Sequence, residues 1–84
     1  MIKKIKEVIE TREETHGSYT DTANVAQDTK AVWHFSNGWY KLTNRERESL
    51  DLIATKVARI LSGDAEFKDH WTDIAGYAEI SKED

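Results

Sequence analysis

Residues 43–63 read Thr43-Asn44-Arg45-Glu46-Arg47-Glu48-Ser49-Leu50-Asp51-Leu52-Ile53-Ala54-Thr55-Lys56-Val57-Ala58-Arg59-Ile60-Leu61-Ser62-Gly63. Leu50, Ile53, Val57, Ile60 and Leu61 recur at the spacing of one helix face, with Ala54 and Ala58 beside them. Thr43, followed three residues later by Glu46, is a capping box: each side chain satisfies a backbone N–H that the first turn leaves open. Gly63 closes the run. The stretch predicts a helix over 43–62 and points to an all-α fold.

The flanks read the same way. Asp69-His70-Trp71-Thr72-Asp73-Ile74-Ala75-Gly76-Tyr77-Ala78 opens a helix over 69–81, with Asp69 as N-cap and Trp71, Ile74, Ala75 and Ala78 expected to be buried. Upstream, Thr20 or Asp21 is expected to cap a helix over 21–36 that stops before the turn signal Asn37-Gly38. Its apolar residues, Val25, Ala26, Val32, Trp33 and Phe35, are scattered around the axis. Trp39, Tyr40 and Leu42 form an apolar linker expected to fold back onto the core. At the start, Ile2, Ile5, Val8 and Ile9 mark a helix over 2–16, with Gly17 as its C-cap. Proline is absent, and no segment alternates apolar and polar at period two, so strands are not expected. The expectation is one domain, 1–84: a compact bundle of about four helices, completed by oligomerisation.

Size is the reason for that last clause. A chain of 84 residues buries a modest share of its unfolded surface. With no cysteine, disulfides and thiolate zinc sites are excluded. Tight helix packing or association with further copies must supply the stability. No apolar run approaches the roughly 20 residues that span a membrane. Met1 to Lys6 carries three lysines with no apolar core behind them, unlike a signal peptide, so the cytoplasm is the expected compartment. A net charge of −4 argues against a general nucleic-acid partner, which needs a basic surface.

Several polar residues sit where packing alone does not ask for them. Arg12 and His16 share a face with Ile5 and Ile9, while Glu7, Glu10 and Glu14 point away. His16 then either caps the last carbonyls of its helix or, with Arg12, lines a site between helices. On the 43–62 helix, Leu52, Lys56 and Arg59, with Glu48 at the end, form a second face. This face is expected to pack against the 2–16 helix or a second copy. Asp69, Asp73, Gly76 and Ile80 form a stripe on the last helix. Gly76 would let a backbone or ligand come close. Asp73, between His70 and Tyr77, is placed to pair with Arg12, Lys56 or Arg59. Together with Asp69, one turn earlier, it would alternatively ligate magnesium through oxygen.

Leu42-Thr43-Asn44-Arg45-Glu46 with Leu50, Leu52, Ile53 and Ala54 resembles the opening helix of LuxR-type helix-turn-helix domains. Here the helix runs on to Ser62 and no basic recognition helix follows, so DNA reading is not expected. A broader likeness covers nearly the whole chain. It comprises Arg12, His16-Gly17-x-Tyr19, Trp39-x-x-Leu42, Glu48-x-Leu50-Asp51-x-Ile53-Ala54-x-Lys56-x-x-Arg59-Ile60-Leu61-x-Gly63 and Asp69-His70-Trp71-x-Asp73-Ile74-Ala75-Gly76-Tyr77-Ala78. In this order they resemble a family of small phage and prophage proteins. Lys56-x-x-Arg59-Ile60 and Asp73-Ile74-Ala75-Gly76-Tyr77 are also similar to the nucleotide-modification-associated domain of phages. Both resemblances imply a small helical protein made in an infected bacterium.

A more distant analogy is with MazG-like, all-α nucleotide pyrophosphatases. These are dimers or tetramers that hold magnesium on a Glu-Glu-x-x-Glu helix and a later Glu-x-x-Asp helix. In this chain Glu10-x-x-Glu13-Glu14 carries the acids in reversed order, and His70-x-x-Asp73 stands where Glu-x-x-Asp would be. Asp51, Asp69, Asp73 and Glu13 are the remaining acid candidates.

Three functions follow as expectations. In the first, the protein binds or processes a nucleotide. Arg12, Lys56 and Arg59 meet phosphates, His16 and Tyr77 add hydrogen bonds, a base stacks on Trp33, Trp39 or Trp71, and magnesium, if used, sits on Asp69 and Asp73. In the second, a non-enzymatic phage protein binds and inhibits a host defence factor through its acidic surface. In the third, a homo-oligomer uses the polar set as an ion-pair network that fixes helix register.

Overall fold

The computed structural model describes residues 5, 6, 18–63 and 65–83. Among these run three α-helices: α1 (Tyr19–His34), α2 (Asn44–Ser62) and α3 (Lys68–Lys82), with a 3-10 turn at Trp39–Lys41. The described residues contain no strand, and the protein is all-α. Ile5 and Lys6 are helical. The remainder of the expected 2–16 helix, with Arg12, His16 and the Gly17 cap, lies outside the described residues.

The start of α2 is built as its sequence dictates. Thr43 Oγ1 accepts from the Glu46 N–H at 3.1 Å, and the Thr43 N–H donates to Glu46 Oε1 at 2.8 Å. Two of the donors orphaned by a helix start are thereby satisfied. Gly63 takes the C-cap position.

The other two starts lie earlier than expected. α1 begins after Ser18, whose carbonyl accepts from the Thr22 N–H at 2.9 Å. Thr20 and Asp21 therefore fall inside the first turn, where Asp21 complements the helix dipole. α3 begins at Lys68 after Phe67, so Asp69 is a first-turn residue and not the N-cap.

The connection between α1 and α2 is held by Arg47. Its Nε donates to the Trp39 carbonyl at 3.1 Å and its Nη2 to the Tyr40 carbonyl at 2.9 Å. Trp39 and Leu42 are half-buried as expected of the linker, but Tyr40 is 79% exposed. Three residues of 3-10 helix spread successive side chains around the axis, so all of them cannot face the core.

α2 is the middle element, packed against α1 on one side and α3 on the other. Its innermost residues are Ala54 and Ala58, both fully buried, together with Ser49. Leu50, Ile53, Val57 and Ile60, expected to be the core stripe, are half-buried, and Leu61 in the last turn is exposed. The difference follows from having neighbours on two sides. Small residues occupy the lines of closest approach, and larger ones flank them. Arg45 Nη2 donates to the Ile80 carbonyl at 3.0 Å, while Lys56 meets Asp73. These two ties, running in opposite chain directions, make α2 and α3 antiparallel.

α3 is rotated relative to the expected orientation. Phe67, His70, Asp73, Ile74, Tyr77 and Ser81 are buried or half-buried, whereas Trp71, Ala75 and Ala78 are exposed. Both sets have helical spacing, and they differ by about one residue, or 100°, of rotation. Trp71 folds onto the α2–α3 linker, where its Nε1–H donates to the Ala65 carbonyl at 2.7 Å. An indole N–H needs a partner, and the linker supplies one that the core face does not. His70 takes the interior position at 1% exposure, with Phe67 meeting its ring edge-on at 4.9 Å between centroids. Among the described residues a Cβ built on Gly76 meets nothing within 4 Å.

Candidate functional site

Lys56 lies on the side of α2 that faces α3. Its Nζ is 2.8 Å from Asp73 Oδ2, with the lysine side chain 16% exposed and the aspartate side chain 42% exposed. The Leu52–Lys56–Arg59 face was expected to meet the 2–16 helix or a second copy. The 2–16 helix lies almost wholly outside the described residues; within them Lys56 meets Asp73 on α3, one of the pairings expected for that aspartate, since a half-buried ammonium needs an anionic partner.

Arg59 follows one turn along α2 and is half-buried. Among the described residues no carboxylate lies within ion-pair distance of it. Tyr77 follows Asp73 by one turn on α3 and is also half-buried. Lys56 and Asp73 thus join α2 to α3, with Arg59 one turn to one side of the pair, Tyr77 one turn to the other, and His70 buried on α3.

The electrostatics of the α2–α3 contact are visible at Asp73. The hydrogen bond from Lys56 holds its carboxyl below the ordinary aspartate value. Partial burial works the other way, and the fields of Lys56, His70 and Arg59 add to the lowering.

The other expected site residues are placed differently. Asp69 is exposed on the first turn of α3. Asp73, the second expected metal ligand, has one oxygen committed to Lys56. Among the described residues no group of three His, Cys, Asp or Glu side chains could hold a metal ion. Magnesium is usually held by one or two carboxylates together with waters and substrate phosphates. Arg12 and His16 lie outside the described residues.

A second polar pair lies across the α1–α2 contact. His34 Nε2 is 2.7 Å from Asp51 Oδ1. A carboxylate can only accept, so Nε2 carries the proton. The His34 ring stacks on Trp39, with centroids 4.3 Å apart and planes at 30°. His34 was not among the residues expected to matter. Its position in the last turn of a helix, where a basic side chain complements the dipole, was the one available signal. Asp51, weighed as a metal candidate, is held by this histidine. Beside them a shallow concavity is lined by Gln27, Lys30, Ala31, His34, Phe35 and Tyr40. None of the expected site residues borders it.

The tryptophans proposed as base-stacking platforms are already engaged in part. One face of Trp39 lies against His34, and the Trp71 indole N–H is bonded to the linker. Trp33 is half-buried on α1.

Compared with protein-family models, with curated proteins and with solved structures, the chain matches none.

Proposed function

We propose that this is a nucleotide-binding protein that takes the phosphate of its ligand at Lys56 and Arg59, beside the contact of α2 with α3. The observation that carries the reading is the presence of two half-buried cations one turn apart on α2, Lys56 and Arg59, of which Lys56 is ion-paired with Asp73. Removing cations from water is costly unless an anion joins them, and Arg59 presents a forked set of donors that suits phosphate oxygens. The Tyr77 hydroxyl, one turn from Asp73, adds a hydrogen-bonding group at the rim. The likeness of residues 56–60 and 73–77 to the phage nucleotide-modification-associated domain supports the same reading. On that likeness the protein acts in the cytoplasm of an infected cell. Magnesium-dependent pyrophosphohydrolysis of the MazG kind is a narrower form of the proposal, with Asp69 and Asp73 as its metal ligands.

Thermal denaturation with nucleoside mono-, di- and triphosphates at millimolar concentration, with and without magnesium, tests the reading. A ligand at a hundred times its Kd stabilises by about 2.7 kcal/mol. In a domain of this size that raises Tm by on the order of 10 °C. The rise should disappear in Lys56→Gln/Arg59→Gln. If no nucleotide moves Tm, the proposal fails.

A second reading rests on a separate surface. Val32, Phe35 and Tyr40, at the end of α1 and in the turn after it, are 68%, 88% and 79% exposed. Among the described residues the fully buried apolar side chains are three alanines: Ala26, Ala54 and Ala58. A core this small gains from covering the aromatic residues with a second copy of the chain, which would complete the helical bundle. A host protein on the same surface is the alternative occupant.

A further inference from the structure

We infer that the concavity at the end of α1 is a binding site for a small aromatic hydroxy acid, whose carboxylate is taken by Lys30. The site is separate from Lys56 and Arg59 and does not depend on the phosphate reading above.

The concavity is built from one helix face and one turn. Gln27, Lys30, Ala31 and His34 line it at the spacing of a single face of α1, and Phe35 and Tyr40 form its far end. Its volume of about 460 Å³ falls within the roughly 300–1,000 Å³ of small-molecule sites. The far end is braced from three sides. Asp51 accepts from His34 Nε2 at 2.7 Å, and Trp39 stacks on the same ring at 4.3 Å. Arg47 donates to the Trp39 and Tyr40 carbonyls at 3.1 and 2.9 Å. The histidine ring and the turn that carries Tyr40 are thus held in place before any ligand arrives, which lowers the ordering cost of binding.

Three unmet groups set the chemistry of the ligand. Lys30 is half-buried and, among the described residues, has no ion-pair or hydrogen-bond partner. One ammonium balances one negative charge, which suits a carboxylate better than a dianionic phosphate. His34 gives its Nε2 proton to Asp51, so Nδ1 of the neutral ring is an acceptor, and among the described residues nothing donates to it. A hydroxyl on the ligand fits that acceptor. Phe35 and Tyr40 are 88% and 79% exposed, and aromatic side chains pair well with a flat ring. Lys30 and His34 are one turn apart, roughly 5–6 Å between Cβ atoms. A ring with a carboxylate at one end and a hydroxyl at the other covers that span. A second copy of the chain on Phe35 and Tyr40 would close the concavity, so ligand and self-association compete.

Titration of the isotope-labelled chain with sodium para-hydroxybenzoate at millimolar concentration, followed by amide NMR shifts, tests this. The shifts should saturate and centre on residues 27–40. Lys30→Gln should weaken binding about ten-fold, the order of one hydrogen bond to a charged group. The neutral analogue para-hydroxybenzyl alcohol should bind the wild-type chain about ten-fold more weakly than the acid, and Lys30→Gln should not weaken it further. Tyr40→Leu should weaken the aromatic acid and leave cyclohexanecarboxylate unaffected. Among the described residues neither the Lys30 nor the Tyr40 side chain holds a bond within the fold, and circular dichroism would confirm that both variants are folded. Lys56→Gln/Arg59→Gln should bind as the wild type does, which separates this site from the phosphate reading. No saturable shift in the wild-type chain, equal affinity for acid and neutral alcohol, or an affinity unchanged in Lys30→Gln would each overturn the inference.

Discussion

Asp73 bonds to Lys56 across two helices, and its carboxyl is held below the ordinary aspartate value mainly by that hydrogen bond. A lowered carboxyl ties stability to pH in a definite direction. As pH falls toward the ordinary value of about 3.9, the unfolded chain takes up this proton before the folded one does. The contribution of Asp73 is therefore fully present above that value and is lost as pH falls through the folded value. Asp73→Asn has no such proton to take up. Urea unfolding of both proteins from pH 7 down to pH 3 should show a constant stability gap at the upper end that closes below about pH 4. A gap that stays unchanged down to pH 3 would show that the Lys56–Asp73 bond does not couple to folding. His34 and Asp51 make the contrasting pair, since their bond joins α1 to α2.

At the scale of helices, how much the sequence reveals depends on how many of its signals agree. For α2 they all agree: the Thr43–Glu46 box, the closing Gly63 and the apolar spacing place its ends at the observed residues. What the spacing could not show was that α2 has neighbours on both sides, which brings Ala54 and Ala58 inward of the leucines and isoleucines. In α3 the sets 67/70/74/77 and 71/74/75/78 satisfy helical spacing equally well. Hydropathy favours the second, and the structure buries the first, because Lys56 needs Asp73 and the Trp71 N–H needs the linker carbonyl. The Lys56–Asp73 contact was legible as one of several pairings, but the His34–Asp51 contact was not, since nothing local marks two residues on different helices as partners. Gly76 shows the same limit. It was read as a point where a backbone or ligand could come close, and among the described residues nothing lies within 4 Å of a Cβ built there. Glycine inside a helix costs backbone entropy that alanine does not. Gly76→Ala should therefore stabilise the protein by about 0.5–1 kcal/mol, or roughly 2–8 °C in Tm. Calorimetric melting would check it, and a lower Tm would mean that a ligand or a second chain requires the bare backbone there.

The whole molecule presents an imbalance between what it buries and what it exposes. The fully buried apolar side chains among the described residues are alanines, while Phe35 and Tyr40 lie against one shallow concavity with most of their area in water. Burying apolar area is worth about 25 cal/mol per Å², and an aromatic side chain carries roughly 150–250 Å². Two copies placing Phe35 and Tyr40 on each other would gain several kcal/mol before association costs, enough to matter for a small domain with little core. A symmetric dimer is the simplest closed arrangement, since one patch then covers the same patch on its partner. Folding coupled to association makes stability depend on protein concentration. Melting the wild-type chain across a hundred-fold range of concentration should raise Tm steadily, and sedimentation should show a species heavier than one chain. Phe35→Ser/Tyr40→Ser should sediment as a monomer with a Tm independent of concentration. These residues lie at the end of α1 and in the turn after it, while Lys56 and Arg59 lie on α2, so the double variant should keep whatever nucleotide response the wild type has. A wild-type chain that is monomeric at every concentration would leave the patch to a different protein. A double variant that still associates would place the contact between copies on another face.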